Sequence, residues 1–145
     1  MPAEEKMNVK KVIQLINRAL PLQMRSVALF TWAAASVTGF EMQAVGHKLE
    51  SFGRLELDDA RRLIEKVVAL GGDPTANVKV FEAFSLTKTG VKKMIDHETE
   101  TTEALRKVIP ETGQEARSEA LEHLLEHIIM RKQEQIDFLE RVRRS

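Results

Sequence analysis

The sequence predicts an all-α protein: an antiparallel four-helix bundle that forms a single domain over residues 1–145. Three observations favour this fold. Only four prolines and seven glycines interrupt the chain, so long helices are allowed. Apolar residues recur at alternating spacings of three and four along four long segments, which is typical of helices that pack into a bundle. No segment of useful length alternates apolar and polar residues in the manner of a strand.

The predicted helices end at glycine and proline residues. Gly39 ends the first helix, residues 71–74 (GGDP) end the second, and residues 110–113 (PETG) end the third. Glycine releases the backbone into conformations that other residues avoid, and proline cannot continue a helix. The four helices are therefore expected at approximately residues 8–38, 40–70, 88–109 and 114–143.

Two interruptions remain inside this pattern. A long crossover, residues 75–87, joins the second helix to the third, and its apolar part, residues 78–84, is expected to pack across the bundle. Pro21 lies within the first helix, where it predicts a kink or a restart of the helix.

The composition excludes several classes of function. The net charge is zero, with 22 residues of each sign, so nothing favours a nucleic-acid or membrane partner. The absence of cysteine excludes disulfides and thiolate metal sites. The most apolar run, residues 27–37, has 11 residues, whereas a membrane helix needs about 20. The N-terminus does not resemble a signal peptide, and a cytoplasmic location is expected.

The apolar seams of all four helices are interrupted near mid-length by polar residues. The first helix contributes one such residue, the second two at i and i+3, the third one, and the fourth two at i and i+3. We call this set the polar layer; its members are Gln23, Glu56, Asp59, Glu98, Lys132 and Gln135.

Burial of three carboxylates requires compensating positive charge, and three interpretations are open. A metal centre could occupy the bundle core at Glu56, Asp59 and Glu98. Alternatively, Lys132 could form a buried salt-bridge network without a metal. Finally, one helix could be rotated so that some of these side chains face solvent. With Lys132 as the only cation, two negative charges remain, so a bound cation or a proton is expected in either buried arrangement.

Both the polar layer and its flanking segments resemble the ferritin and bacterioferritin family. The one-two-one-two spacing is similar to the family's di-iron site, which has Glu, Glu-x-x-His, Glu and Glu-x-x-His on successive helices. Residues 16–20 (INRAL), 60–75 (ARRLIEKVVALGGDPT) and 135–140 (QIDFLE) resemble parts of the first, second and fourth bacterioferritin helices. The resemblance implies a ferritin-like bundle and a role in iron homeostasis.

Only part of the family's ligand set is present. Glu56 and Glu98 stand at two glutamate positions, whereas Gln23 and Lys132 replace the other two glutamates. The histidine positions hold Asp59 and Gln135. The resemblance therefore implies an altered di-metal centre, without ferroxidase activity, in an oligomeric binding or structural member of the family. Two alternatives stay open: a metal-homeostasis protein that binds a single iron, manganese or zinc ion at Glu56, Asp59 and Glu98, and a helical adaptor that uses its outer faces.

The family resemblance also has implications for oligomerisation and for haem binding. Family members pair through their first two helices, so a homo-oligomer, at least a dimer, is implied. Leu57 stands where bacterioferritins carry their haem-binding methionine, so no haem is expected. No fifth helix is expected after the fourth, so a 24-subunit cage that depends on it is not implied.

A second candidate metal site lies on the fourth helix. His123 and His127 stand at i and i+4, a spacing that can hold a metal ion on one helix face. Glutamates flank both residues, so a solvated or subunit-facing polar strip is the alternative interpretation.

Overall fold

The computed structural model describes residues 5–144 and confirms an all-α four-helix bundle. Helices α1 and α2 form one antiparallel pair, and α3 and α4 form the other. No strand occurs within the described residues. The helices are α1 (Val9–Ser36), α2 (Gln43–Ala69), α3 (Lys88–Arg106) and α4 (Ala116–Arg144).

The helix ends follow local chemistry. The side chain of Asn8 accepts a hydrogen bond from the Lys11 backbone at 3.2 Å and caps α1, and Thr87 caps α3 in the same way. Gly39 adopts a positive φ of 90° between α1 and α2. Helix α3 ends at Arg106, three residues earlier than expected. Pro110 has no N–H to donate to the Arg106 carbonyl, and a 3-10 turn over Ile109–Glu111 replaces the last turn.

Pro21 lies inside one uninterrupted helix, so α1 does not restart there. The crossover is attached to α1 around this point. The Pro21 carbonyl accepts a hydrogen bond from the Lys79 backbone at 3.0 Å. The side chain of Asn17 donates to the Asp73 carbonyl at 3.0 Å and accepts from the Thr75 backbone at 2.9 Å.

The apolar part of the crossover packs only in part. The ring centroids of Phe81 and Phe84 lie 5.6 and 5.0 Å from that of Trp32 on α1. Val78 and Val80, in contrast, are 48% and 81% exposed. The expectation that residues 78–84 pack across the bundle therefore holds for the two phenylalanines and fails for the two valines.

Two apolar clusters fill the bundle on either side of its mid-height. The first cluster includes Leu20, Leu63, Leu105 and Leu125, one from each helix, and the second contains Phe30, Leu49, Met94 and Leu139. All eight residues are at most 1% exposed. The segments that separate the two clusters along each helix carry the polar layer. In the described part of the chain, no helix is long and apolar enough to cross a membrane.

Candidate functional site

All six residues of the polar layer lie in the interior, with exposures of 0 or 1%. Helical geometry explains their convergence, because residues three apart share a helix face. Glu56 and Asp59 therefore point inward together from α2, as do Lys132 and Gln135 from α4. Gln23 approaches from α1 and Glu98 from α3.

Lys132 forms the centre of the layer. Its Nζ donates to Glu56 Oε2 at 2.6 Å and to Glu98 Oε2 at 3.1 Å. The same nitrogen lies 3.4 Å from the hydroxyl of Ser26. One ammonium group on α4 thus contacts a side chain from each of the other three helices.

Two side chains of α1 also donate hydrogen bonds to these carboxylates. The Gln23 amide donates to Glu56 Oε2 at 2.6 Å and to the Glu56 backbone carbonyl at 2.9 Å. The Ser26 hydroxyl donates to Glu98 Oε1 at 2.6 Å. Ser26 was not expected in the layer; the signal that could have identified it is its position three residues after Gln23, on the same helix face.

Asp59 has a different cation. It forms a salt bridge with Arg131, whose side chain is only 16% exposed. Arg131 was also not expected in the layer, because it lies beside the seam position of Lys132. Its guanidinium corrects the charge balance: the three carboxylates Glu56, Asp59 and Glu98 face two cations, Arg131 and Lys132. One negative charge remains, not the two expected with Lys132 as the only cation.

Burial and charge shift the pKa values in the layer. Burial raises the pKa of Glu56 to about 7, an effect that the attraction of Lys132 reduces. Burial likewise raises the pKa of Asp59, against the opposing attraction of Arg131. Burial lowers the pKa of Lys132, but the carboxylates of Glu56 and Glu98 outweigh it, so the pKa lies above its ordinary value and the amine stays protonated at neutral pH.

Several polar atoms of the layer have no hydrogen-bond partner among the described residues. Gln135 lies in the interior, yet neither its amide nitrogen nor its amide oxygen is bonded. Three acceptor oxygens are also without a partner: Gln23 Oε1, Glu56 Oε1 and Asp59 Oδ2.

A pair of metal ions does not fit this arrangement. A divalent ion bound to Glu56 and Glu98 would lie about 2 Å from their oxygens, which is close to the ammonium group that already occupies the space between them. Asp59 is engaged by Arg131. Within residues 5–144, no three or more histidine, cysteine, aspartate or glutamate side chains are grouped so as to hold a metal ion.

The candidate histidine pair lies on the surface of α4. His123 and His127 are both exposed, and His123 Nε2 lies 3.5 Å from Glu119 Oε1. The surface metal pair stays a prediction, with two histidine ligands at most from this helix.

The outer faces of α1 and α2 form a shallow groove near Leu57. Its volume is about 360 Å³, and Leu57 is 56% exposed. Gly53 allows the two helices to approach closely, because a Cβ atom there would lie 3.3 Å from the hydroxyl of Thr31. The remaining lining includes Ala34, Ala35, Glu50 and Arg54.

This protein has four antiparallel helices with carboxylates that face inward at mid-height, so it belongs to the class of carboxylate-bearing four-helix bundles. The model of the ferritin-like domain matches residues 13–144, and the chain belongs to this family. A crystal structure of ferritin-like, diiron-carboxylate proteins from Bacillus anthracis str. Ames is similar in fold, with a TM-score of 0.83 and 24% sequence identity. The match covers 92% of this chain and 96% of that chain. Among curated proteins, no sequence matches this chain.

Proposed function

We propose that this chain is a ferritin-like protein that does not oxidise iron and that acts as an oligomeric binding or structural member of its family. The observation that carries the proposal is the position of Lys132 Nζ, 2.6 Å from Glu56 and 3.1 Å from Glu98. The ammonium group supplies positive charge where the family resemblance implies metal ions.

The chemistry of lysine supports this function. A protonated amine has no lone pair for a metal, and the raised pKa of Lys132 keeps it protonated. The ferroxidase reaction implied by the family requires two irons close together. An ammonium group beside the retained carboxylates repels both ions.

Elemental analysis and an iron-oxidation assay test the proposal directly. Protein purified without a metal-affinity step should carry no stoichiometric iron, manganese or zinc. It should oxidise ferrous iron no faster than buffer alone. Oxidation well above the spontaneous rate would contradict the proposal, provided that Glu56→Gln abolishes the excess and thereby locates it in the polar layer.

A single metal ion at Glu56, Asp59 and Glu98 is the second candidate. The unpartnered oxygens Glu56 Oε1 and Asp59 Oδ2 favour it, because carboxylate oxygens are good ligands for divalent ions. In that case, added iron, manganese or zinc would raise the melting temperature of the wild-type protein but not of Asp59→Asn. No shift in either protein would exclude this candidate.

The oligomer that we propose is a dimer through the outer faces of α1 and α2. The exposed Leu57 and the adjoining groove are apolar surface that a second copy would cover. Light scattering after size-exclusion chromatography should give twice the chain mass of 16.4 kDa. Leu57→Glu should shift the protein to monomer, whereas the matched change Met130→Glu on the outer face of α4 should not. A monomeric wild-type protein would refute the dimer.

A further inference from the structure

We infer that Lys132 keeps divalent cations out of this bundle: its ammonium group lies where Glu56 and Glu98 would otherwise hold such an ion. This inference rests on the proposed function, since it assumes that the native protein is metal-free. With a carboxylate in place of Lys132, the polar layer would hold an oxygen-preferring divalent ion such as Mn²⁺.

The first support is the set of oxygens that the layer leaves unused. Gln23 Oε1, Glu56 Oε1, Asp59 Oδ2 and the Gln135 amide oxygen have no hydrogen-bond partner among the described residues. Buried polar atoms in folded proteins are normally bonded, so unused acceptors indicate capacity for a ligand. Carboxylate and carboxamide oxygens are the donors that Mn²⁺ and similar hard ions prefer.

The second support is the place of the ammonium group. Lys132 Nζ lies between Oε2 of Glu56 and Oε2 of Glu98, and all three side chains are fully buried. A divalent ion held by either carboxylate would be a close neighbour of this positive charge, and their repulsion is strong in the low dielectric of a buried site. Lys132 therefore excludes a metal ion by its positive charge as well as by the volume that it occupies.

The third support is the charge balance. With Glu56, Asp59 and Glu98 opposed by Arg131 and Lys132, the layer carries one net negative charge. A carboxylate in place of Lys132 would change this to three, because one positive charge is lost and one negative charge is added. Buried negative charges require a compensating cation. A new carboxylate at position 132 would also face Glu56 and Glu98 from α4.

Lys132→Glu in the full chain tests the inference, with Mn²⁺ as the probe. After incubation with MnCl₂ and desalting, the variant should retain at least about one manganese per chain by elemental analysis, whereas the wild-type protein should retain none. Its melting temperature should rise with Mn²⁺. Lys10→Glu, which makes the same charge change at an exposed position, should behave like the wild type.

A second variant locates the ion. Lys132→Glu combined with Glu98→Gln should lose manganese, because Glu98 faces position 132 from α3. Manganese retained at the same level would place the ion outside the layer and overturn the inference. A folded Lys132→Glu protein that retains no manganese would overturn it as well.

If Lys132→Glu does not fold without metal, the variant is diluted from urea with and without Mn²⁺, and its helix content is followed by circular dichroism. Recovery only with Mn²⁺ supports the inference, and failure under both conditions overturns it. Wild-type protein that carries stoichiometric metal would contradict the proposed function itself. Metal-free protein in both the wild type and the variant would overturn only the present inference.

Discussion

Lys132 and Gln135 lie one turn apart on α4, and both are at most 1% exposed, yet their surroundings differ. The Lys132 ammonium contacts Glu56, Glu98 and Ser26. The Gln135 amide has no partner among the described residues. Burial alone therefore does not measure what a polar side chain contributes to stability. What counts is whether its hydrogen-bonding and charge requirements are met in the folded state.

Removal of the charge on Lys132 should produce the largest effect. Lys132→Met keeps most of the volume but leaves Glu56 and Glu98 buried without their cation, and we expect a loss of about 4 kcal/mol in the free energy of unfolding. Urea unfolding at pH 8, followed by circular dichroism, measures it. The exposed change Lys10→Met is the matched control. A loss below about 1 kcal/mol would mean that the ammonium group does not support the layer.

The pH dependence should be the next largest effect. The ordinary carboxyl pKa of 4.5 is raised to about 7 at Glu56, so the folded protein holds a proton that the unfolded chain has released. The free energy of unfolding should therefore fall as the pH rises from about 4.5 to about 7, by on the order of 3 kcal/mol. The raised pKa of Asp59 acts with the same sign, from its ordinary value upward.

Glu56→Gln isolates this contribution. The pKa of His97 is lowered by burial and by Arg25, so His97 acts in the opposite direction near pH 6, but it does so in both proteins. The variant should lose most of the decline between pH 4.5 and 7. Parallel stability curves for the two proteins would show that Glu56 releases its proton at an ordinary pH.

The smallest expected effect is the difference in stability between variants of the two buried glutamines. Gln23→Leu removes the donor to Glu56 Oε2 and to the Glu56 carbonyl and should cost about 2 kcal/mol. Gln135→Leu removes two atoms that bond to nothing in the described structure, so it should be neutral within about 1 kcal/mol or stabilising. Equal losses in thermal unfolding of the two variants would refute the contrast.

Much of the fold could be predicted from the sequence because the apolar seams and the glycine and proline residues that end helices indicate the same four helices. The expected helix ends differ from the observed ones by at most three residues. The larger differences have local causes. Helix α2 begins at Gln43, after a 3-10 turn over Phe40–Met42, and α3 ends before Pro110. Helical periodicity also accounts for the six inward-facing polar residues, since it specifies the face on which each residue lies.

The pairing of these residues could not be predicted in the same way. Periodicity assigns Arg131 to the edge of the α4 seam, but its long side chain reaches Asp59 on another helix. Ser26 is small and nearly neutral in hydropathy, so its hydroxyl bond to Glu98 leaves no trace in the apolar pattern. Partner choice depends on side-chain reach and on the heights at which helices meet, and one sequence contains neither quantity explicitly.

The contact of Lys132 with all three other helices has a consequence for helix alignment. Apolar seams that repeat every three or four residues tolerate a slide of one helix by a turn, about 5.4 Å, because one leucine can replace another. A slide of that size would separate the Lys132 nitrogen from Glu56 or Glu98 and leave a buried charge without its partner. A single nitrogen atom thereby favours one axial alignment of four helices over the staggered alternatives, and its contacts do so without a bound ion.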